Sequence, residues 1–147
     1  MVEFINMEIK LYTNNNAKNI ITKTIETLNL ESDVDSDIIY RWLSETRTVK
    51  CYMLVDKINT VSIVLLSKCD FDPDRKHRDP YILDYIYTFD KYRRNNYAYK
   101  ILLYLKNKEQ TTSFCDSLES ENLFRKANYI YNGYDKITKS IPMFRYP

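Results

Sequence analysis

The segment YILDYIYTF (Tyr81–Phe89) has strand character, and it passes through a basic turn holding Lys91, Arg93 and Arg94 straight into a helical stretch, Tyr97–Lys108. This junction constrains the fold more than any other part of the chain. A helix launched from the end of a strand packs back on that strand's sheet, and the strand that follows lies parallel through a right-handed crossover. The same junction gathers unpaired backbone N–H groups at a helix N-terminus, which makes it a ready anion site. A phosphate-bearing cofactor, if one binds, is expected here.

The remaining periodicities fall around this unit. Met7–Thr13 alternates apolar and polar residues and reads as a first strand. Asn14–Asn16 offer N-caps to a first helix carrying Ala17, Ile20, Ile21, Ile25 and Leu28 at helical spacing. An acidic loop, Glu31–Asp35, precedes a short second helix that Asp35 or Ser36 would cap, with Ile38, Ile39, Trp42 and Leu43 on its buried face. Lys50–Asp56 and Thr60–Lys68 read as an antiparallel hairpin about Lys57–Asn59. A charged loop, Asp70–Pro80, leads to the fourth strand, and the third helix is expected to bury Ala98, Ile101, Leu102 and Leu105. Gln110–Cys115 is a short β-like run, and Asp116–Glu119 has the form of a capping box for a fourth helix ending near Ala127. Tyr129–Tyr131 and Lys136–Phe144 would close the sheet. The predicted order is β-α-α-β-β-β-α-β-α-β-(β), a mixed α/β domain, with residues 1–147 as one unit.

Composition narrows the function classes. A net charge of +2 argues against a general nucleic-acid binder, although tyrosines alternating with basic residues are also able to stack single strands. Cys51, Cys69 and Cys115 form no CxxC pair, and His77 is the single histidine. No metal site or disulfide framework is expected, and a reducing compartment follows, cytoplasmic or nuclear by diffusion. The N-terminus does not read as a signal peptide and no apolar run approaches a membrane span. With one glycine, Gly133, the chain must place Asn or Asp where the backbone needs positive φ, and Asn is plentiful. Such a bias suits an AT-rich genome, a virus's for instance. Tyr81, Tyr85 and Tyr87 would line either a groove or a homodimer face.

Two segments carry a resemblance to a known family. Arg93-Arg94-Asn95-Asn96-Tyr97-Ala98 is similar to Q/R-x-x-G-x-G/A, which follows a strand and opens a helix in the GNAT superfamily of N-acetyltransferases. Arg93 matches its first position, Ala98 its last, and Asn96 stands where the family has glycine. Phe124-Arg125-Lys126-Ala127-Asn128-Tyr129 resembles the family's Y-x-K-x-G-F, with Lys126 retained, Asn128 for glycine, Tyr129 for Phe and Phe124 for Tyr. Asn is the best non-glycine residue for a left-handed position.

The resemblance implies a GNAT-like acyl-CoA N-acyltransferase fold and acetyl-CoA as co-substrate. Its pyrophosphate would meet the backbone amides of Arg94, Asn95, Asn96, Tyr97, Ala98 and Tyr99, with charge from Arg93 and Arg94 and further contacts from Ser117, Phe124 and Lys126. Its pantetheine would run along Ile86, Tyr87 and Thr88, with an amide near Thr88 polarising the thioester carbonyl. A primary amine, on a protein or a small cationic molecule, would be the acceptor, and the acidic loop would border it. Asp84 stands where many members carry a Glu base. Four residues before Thr88, it is expected on the same strand face, and it reads equally as a structural Asp bonded to a Tyr or a backbone amide. The family's proton-donating Tyr is absent at Phe124, leaving Tyr129, Tyr131 or Cys115 to substitute. The other reading is a catalytically silent domain of the same fold that acts by protein interaction, as a viral or phage effector would.

Overall fold

The computed structural model describes residues 7–69, 79–114, 117–134 and 142–145. Seven strands, β1 (Glu8–Thr13), β2 (Val49–Asp56), β3 (Asn59–Lys68), β4 (Pro80–Thr88), β5 (Gln110–Phe114), β6 (Ile130–Tyr134) and β7 (Pro142–Arg145), form one sheet in the order β1-β2-β3-β4-β5-β7-β6. The helices are α1 (Asn14–Asn29), α2 (Ser36–Leu43), α3 (Tyr97–Leu105) and α4 (Leu118–Lys126), and a 3₁₀ turn, Asp90–Tyr92, sits between β4 and α3. The element order agrees with the sequence reading, and β4 and β5 are parallel as the crossover requires. Every other neighbouring pair is antiparallel. Among the described residues no helix is long and apolar enough to span a membrane.

The sheet is covered on both faces, which its near-continuous apolar strands demand. On one face α1 and α2 bury Ala17, Ile21, Leu28, Ile39 and Trp42 against Cys51, Met53, Ile63 and Leu65. On the other, α3 and α4 bury Ile101, Leu102, Leu105 and Phe124 against Leu54, Val64, Leu66, Leu83 and Phe144. Trp42 sits almost fully buried and satisfies its indole N–H on the Leu66 carbonyl at 2.9 Å, as a buried Trp must.

Several local expectations are corrected. α1 begins at Asn14 after Thr13, which provides no side-chain cap, and the Asn14 Oδ1 instead accepts the Val49 N–H at 3.3 Å. Asp35 caps α2 through the Ile38 N–H at 3.2 Å. Ser117 rather than Asp116 caps α4, its Oγ accepting the Ser120 N–H at 3.1 Å, while Asp116 lies outside the described residues. Asn14, Asn96 and Asn128 take positive φ, but so do Lys57 and Arg94, so the left-handed positions are not confined to Asn and Asp.

One irregularity shapes the rest of the molecule. The β3–β4 register runs Leu65↔Tyr85 and then Leu66↔Leu83, so Asp84 is the extra residue of a bulge. The phase of β4 flips there. Leu83 and Ile86 pack on the α3–α4 side, whereas Tyr85, Tyr87 and Phe89 pack on the α1–α2 side. The last β4–β5 pair is Leu83↔Ser113. Beyond it, β4 runs on to Thr88 with no β5 pairing among the described residues.

Candidate active site

The unpaired edge of β4 is one wall of a cleft of about 640 Å³. Phe89 N–H bonds to the Val61 carbonyl at 3.0 Å. That bond makes Thr88↔Ser62 a pair of the non-hydrogen-bonded type, so the N–H and C=O groups of Thr88, and of Ile86 two residues earlier, project away from β3 into the open edge. The Thr88 hydroxyl is tied to Ser62 at 2.7 Å. What Thr88 offers the cleft is therefore backbone.

The basic turn forms the floor. Arg94 (φ 68°) and Asn96 (φ 58°) are both left-handed, and Asn96 precedes α3 without capping it by side chain. The first intrahelical donor there is Lys100 N–H to the Asn96 carbonyl at 3.0 Å. The amides of Tyr97, Ala98 and Tyr99 thus have no helical acceptor, and they sit at the positive end of the helix dipole. Asn95 does not line the cleft. Its side-chain amide donates to the carbonyls of Tyr92 (3.0 Å) and Arg93 (3.1 Å) and braces the turn. Ala98, expected in the core, is only partly buried and lines the cleft instead.

The far wall is one face of α4: Glu119, Ser120, Leu123 and Lys126. Lys126 is exposed, with Nζ 4.5 Å from the Tyr99 ring centroid and 3.4 Å from Asn96 Oδ1. Ser117 and Phe124 are not in the lining. Ser117 is spent on the cap, and Phe124 is buried with its ring 5.0 Å from Tyr129 and 6.1 Å from Phe144. Phe124 is a core residue here because α4 turns that side inward. Glu119, Ser120, Leu123 and Tyr92 were missed as lining residues. The i, i+3, i+4 spacing from Glu119 through Lys126 is the signal that marks them as one helix face.

The acidic loop does not present free carboxylates to this cleft. Asp33 is bound by Arg93, whose guanidinium and the Tyr87 hydroxyl hold its pKa down at about 2. Glu31 Oε1 accepts from the Tyr87 hydroxyl at 3.0 Å and from the Asp90 N–H at 2.7 Å. Burial and these carboxylates push the Tyr87 phenol well above its ordinary range. Tyr85 and Tyr87 line the cleft with stacked rings 5.9 Å apart, whereas Tyr81 is buried in the core beneath Lys50 and Lys68.

Asp84 is not where the strand period put it. The bulge places it beside Ser67, Arg41, Glu45 and Arg47 on the α1–α2 side, opposite the Thr88 side chain, and it does not line the cleft. Burial pushes its carboxyl up to about 6, partly offset by the Ser67 hydroxyl, and its Oδ2 is a buried acceptor with no hydrogen-bond partner among the described residues. It stands one residue beyond the last β4–β5 pair, where the cleft begins. Of the substitute proton donors, Tyr129 is buried, Tyr131 is exposed on β6, and Cys115 lies outside the described residues. Neither tyrosine lines the cleft, whereas Tyr92, Tyr97 and Tyr99 do.

The mixed sheet with its one parallel pair, β4 and β5, is a fold held in common with acetyltransferases of solved structure. The N-acetyltransferase YlbP of Bacillus subtilis, solved with coenzyme A, matches with a TM-score of 0.63 at 14% identity over 96% of this chain and 97% of that one. NAA60 of Arabidopsis thaliana, solved with acetyl-CoA, matches at 0.54 and 9% identity over 95% and 98%. The aminoglycoside 6'-N-acetyltransferase AAC(6')-Ih of Acinetobacter baumannii matches at 0.53 and 10% identity over 84% and 91%. No family model matches the chain, and no curated protein matches it significantly. The chain has the GNAT acetyltransferase fold, at great sequence distance from these neighbours.

Proposed function

We propose that the protein binds acetyl-CoA in this cleft and transfers the acetyl group to a primary amine of a protein or small molecule. The observation that carries the reading is two groups of backbone donors along one cleft. The first is the outward amides of Ile86 and Thr88, and the second is the amides of Tyr97, Ala98 and Tyr99 at the α3 N-terminus. An amide-bearing arm suits the first group and a pyrophosphate the second. Arg94 and Lys126 add positive charge at the phosphate end.

The residues present fit such a ligand, because the donors stand free at the cleft and Asn96 already holds the backbone shape that glycine holds in the family. Acetyl-CoA, when bound, supplies an activated thioester. The Thr88 amide is a donor toward charge developing on a carbonyl oxygen at the open edge. Asp84 is able to take a proton near neutrality, through water, since its carboxyl titrates at about 6 yet lies behind the strand. The donor lost with Phe124 is replaced most directly by a tyrosine that lines the cleft, Tyr92, Tyr97 or Tyr99.

Titration calorimetry is expected to give micromolar binding of acetyl-CoA. Arg94→Glu combined with Lys126→Glu should weaken it by roughly a hundredfold, about 3 kcal/mol for two reversed phosphate contacts, with little change in melting temperature. No binding at millimolar acetyl-CoA would refute the reading. Binding without turnover of any amine would leave a silent domain of the same fold.

A further inference from the structure

Arg93 holds the first position of the phosphate motif and lines the cleft with Asp33, yet its guanidinium is already engaged by partners within the chain. Nη1 and Nη2 donate to the two oxygens of Asp33 at 2.6 and 2.9 Å, and Nε donates to the Thr88 carbonyl at 3.0 Å. Its plane lies over the Tyr87 ring, 5.2 Å from the centroid. The α1–α2 loop is joined to β4 at alternate residues. Glu31 and Asp33 share the Tyr87 hydroxyl, Glu31 also takes the Asp90 N–H, and the Asp35 N–H donates to the Tyr85 hydroxyl at 2.8 Å. Loop residues two apart thus meet strand residues two apart on the same face.

We propose that Arg93 is a positioning residue rather than a phosphate ligand: with Asp33 and Tyr87 it straps the α1–α2 loop across the outgoing end of β4 and so sets the acceptor end of the cleft. That this end receives the acceptor rests on the acetyl-CoA reading; the strap does not. The planar fork of arginine is what the geometry uses, since one guanidinium bridges a carboxylate and a strand carbonyl at once while lying on a ring. Lysine keeps the charge and loses the fork.

Amide hydrogen exchange on the intact protein tests the strap. Asp33→Asn and Arg93→Lys are each expected to speed exchange of the Asp35 and Asp90 amides by roughly tenfold or more while β2 and β3 stay protected, and Asp33→Glu to preserve protection. The two losses should be non-additive in the double variant. With a lysine peptide as acceptor, the KM for peptide should rise roughly tenfold in Asp33→Asn, whereas acetyl-CoA affinity by calorimetry should move less than about twofold. A rise in global instability alone would not produce that split. The proposal is overturned if Arg93→Lys loses acetyl-CoA affinity as Arg94→Glu does while the loop amides stay protected. Failure of the unmodified protein to bind acetyl-CoA would remove the acetyl-CoA reading, and the strap would then be decided by exchange alone.

Discussion

Asp84→Asn is expected to make the protein more stable at neutral pH, by about 2 kcal/mol, and to remove most of the pH dependence between about 4 and 6. The reason lies in the sign of the shift. Burial at the bulge raises the folded carboxyl from 3.8 to about 6, so the native state holds a proton where the unfolded chain has released it. Stability conferred by the neutral form is fully present below the unfolded value and falls as pH rises through the folded one. Above about 6 the native protein carries a desolvated carboxylate whose Oδ2 is a buried acceptor with no hydrogen-bond partner among the described residues. An isosteric amide removes that charge. Urea unfolding of both proteins at pH 4.5 and 7.5 measures the effect. A variant less stable at pH 7.5 than the parent would show that the carboxylate is a net structural asset. The same variant tests the base role: turnover reduced roughly a hundredfold with acetyl-CoA affinity kept would be the mark of a proton acceptor.

The second large effect is expected at Glu109. Its side chain is 5% exposed and receives Lys50 Nζ at 2.7 and 2.9 Å and the Tyr52 hydroxyl at 2.9 Å. Lys50 also lies over the Tyr81 ring at 4.5 Å. This cluster joins β2 to the start of β5 beneath α3, far along the sheet from the cleft. Glu109→Ala strands a half-buried ammonium and a buried phenol, and a loss of about 3–4 kcal/mol is expected, since removing one partner of a buried pair costs more than the pair contributes. A large drop in the urea midpoint with an unchanged slope would be the result. Glu109→Gln, which keeps an acceptor for Tyr52, should lose less. Equal losses would mean that the charge, not the phenol's hydrogen bond, dominates.

Element order was legible because each element announces itself locally, by period, cap or turn. Asn96 and Asn128 were legible as left-handed residues because Asn tolerates that region. The bulge was not, because YILDYIY reads as one uninterrupted strand. Its two phases, Leu83 with Ile86 and Tyr85 with Tyr87, become distinct only once β3 supplies the register. The strap was hidden for a related reason. Glu31 and Asp33 are separated from Tyr87 and Arg93 by more than 50 residues, and an acidic loop looks the same in sequence whether its carboxylates meet water or an arginine. The inward turn of Phe124 was only partly open to the helical period of α4, which sets it apart from Glu119, Leu123 and Lys126 but leaves it one turn from Ser120.

The turn that joins β4 to α3 holds side-chain-bearing residues at both of its left-handed positions. Each costs about 1 kcal/mol relative to glycine in the folded turn, yet each also removes conformers from the unfolded chain. The ordering of this loop is therefore completed during folding, and little of it is left to be done when an anion arrives. Glycine at position 96 would leave a looser loop, one that must surrender backbone entropy at each encounter. A chain with a single glycine has, in this turn, traded plasticity for a loop whose shape is set before the proposed ligand would reach it.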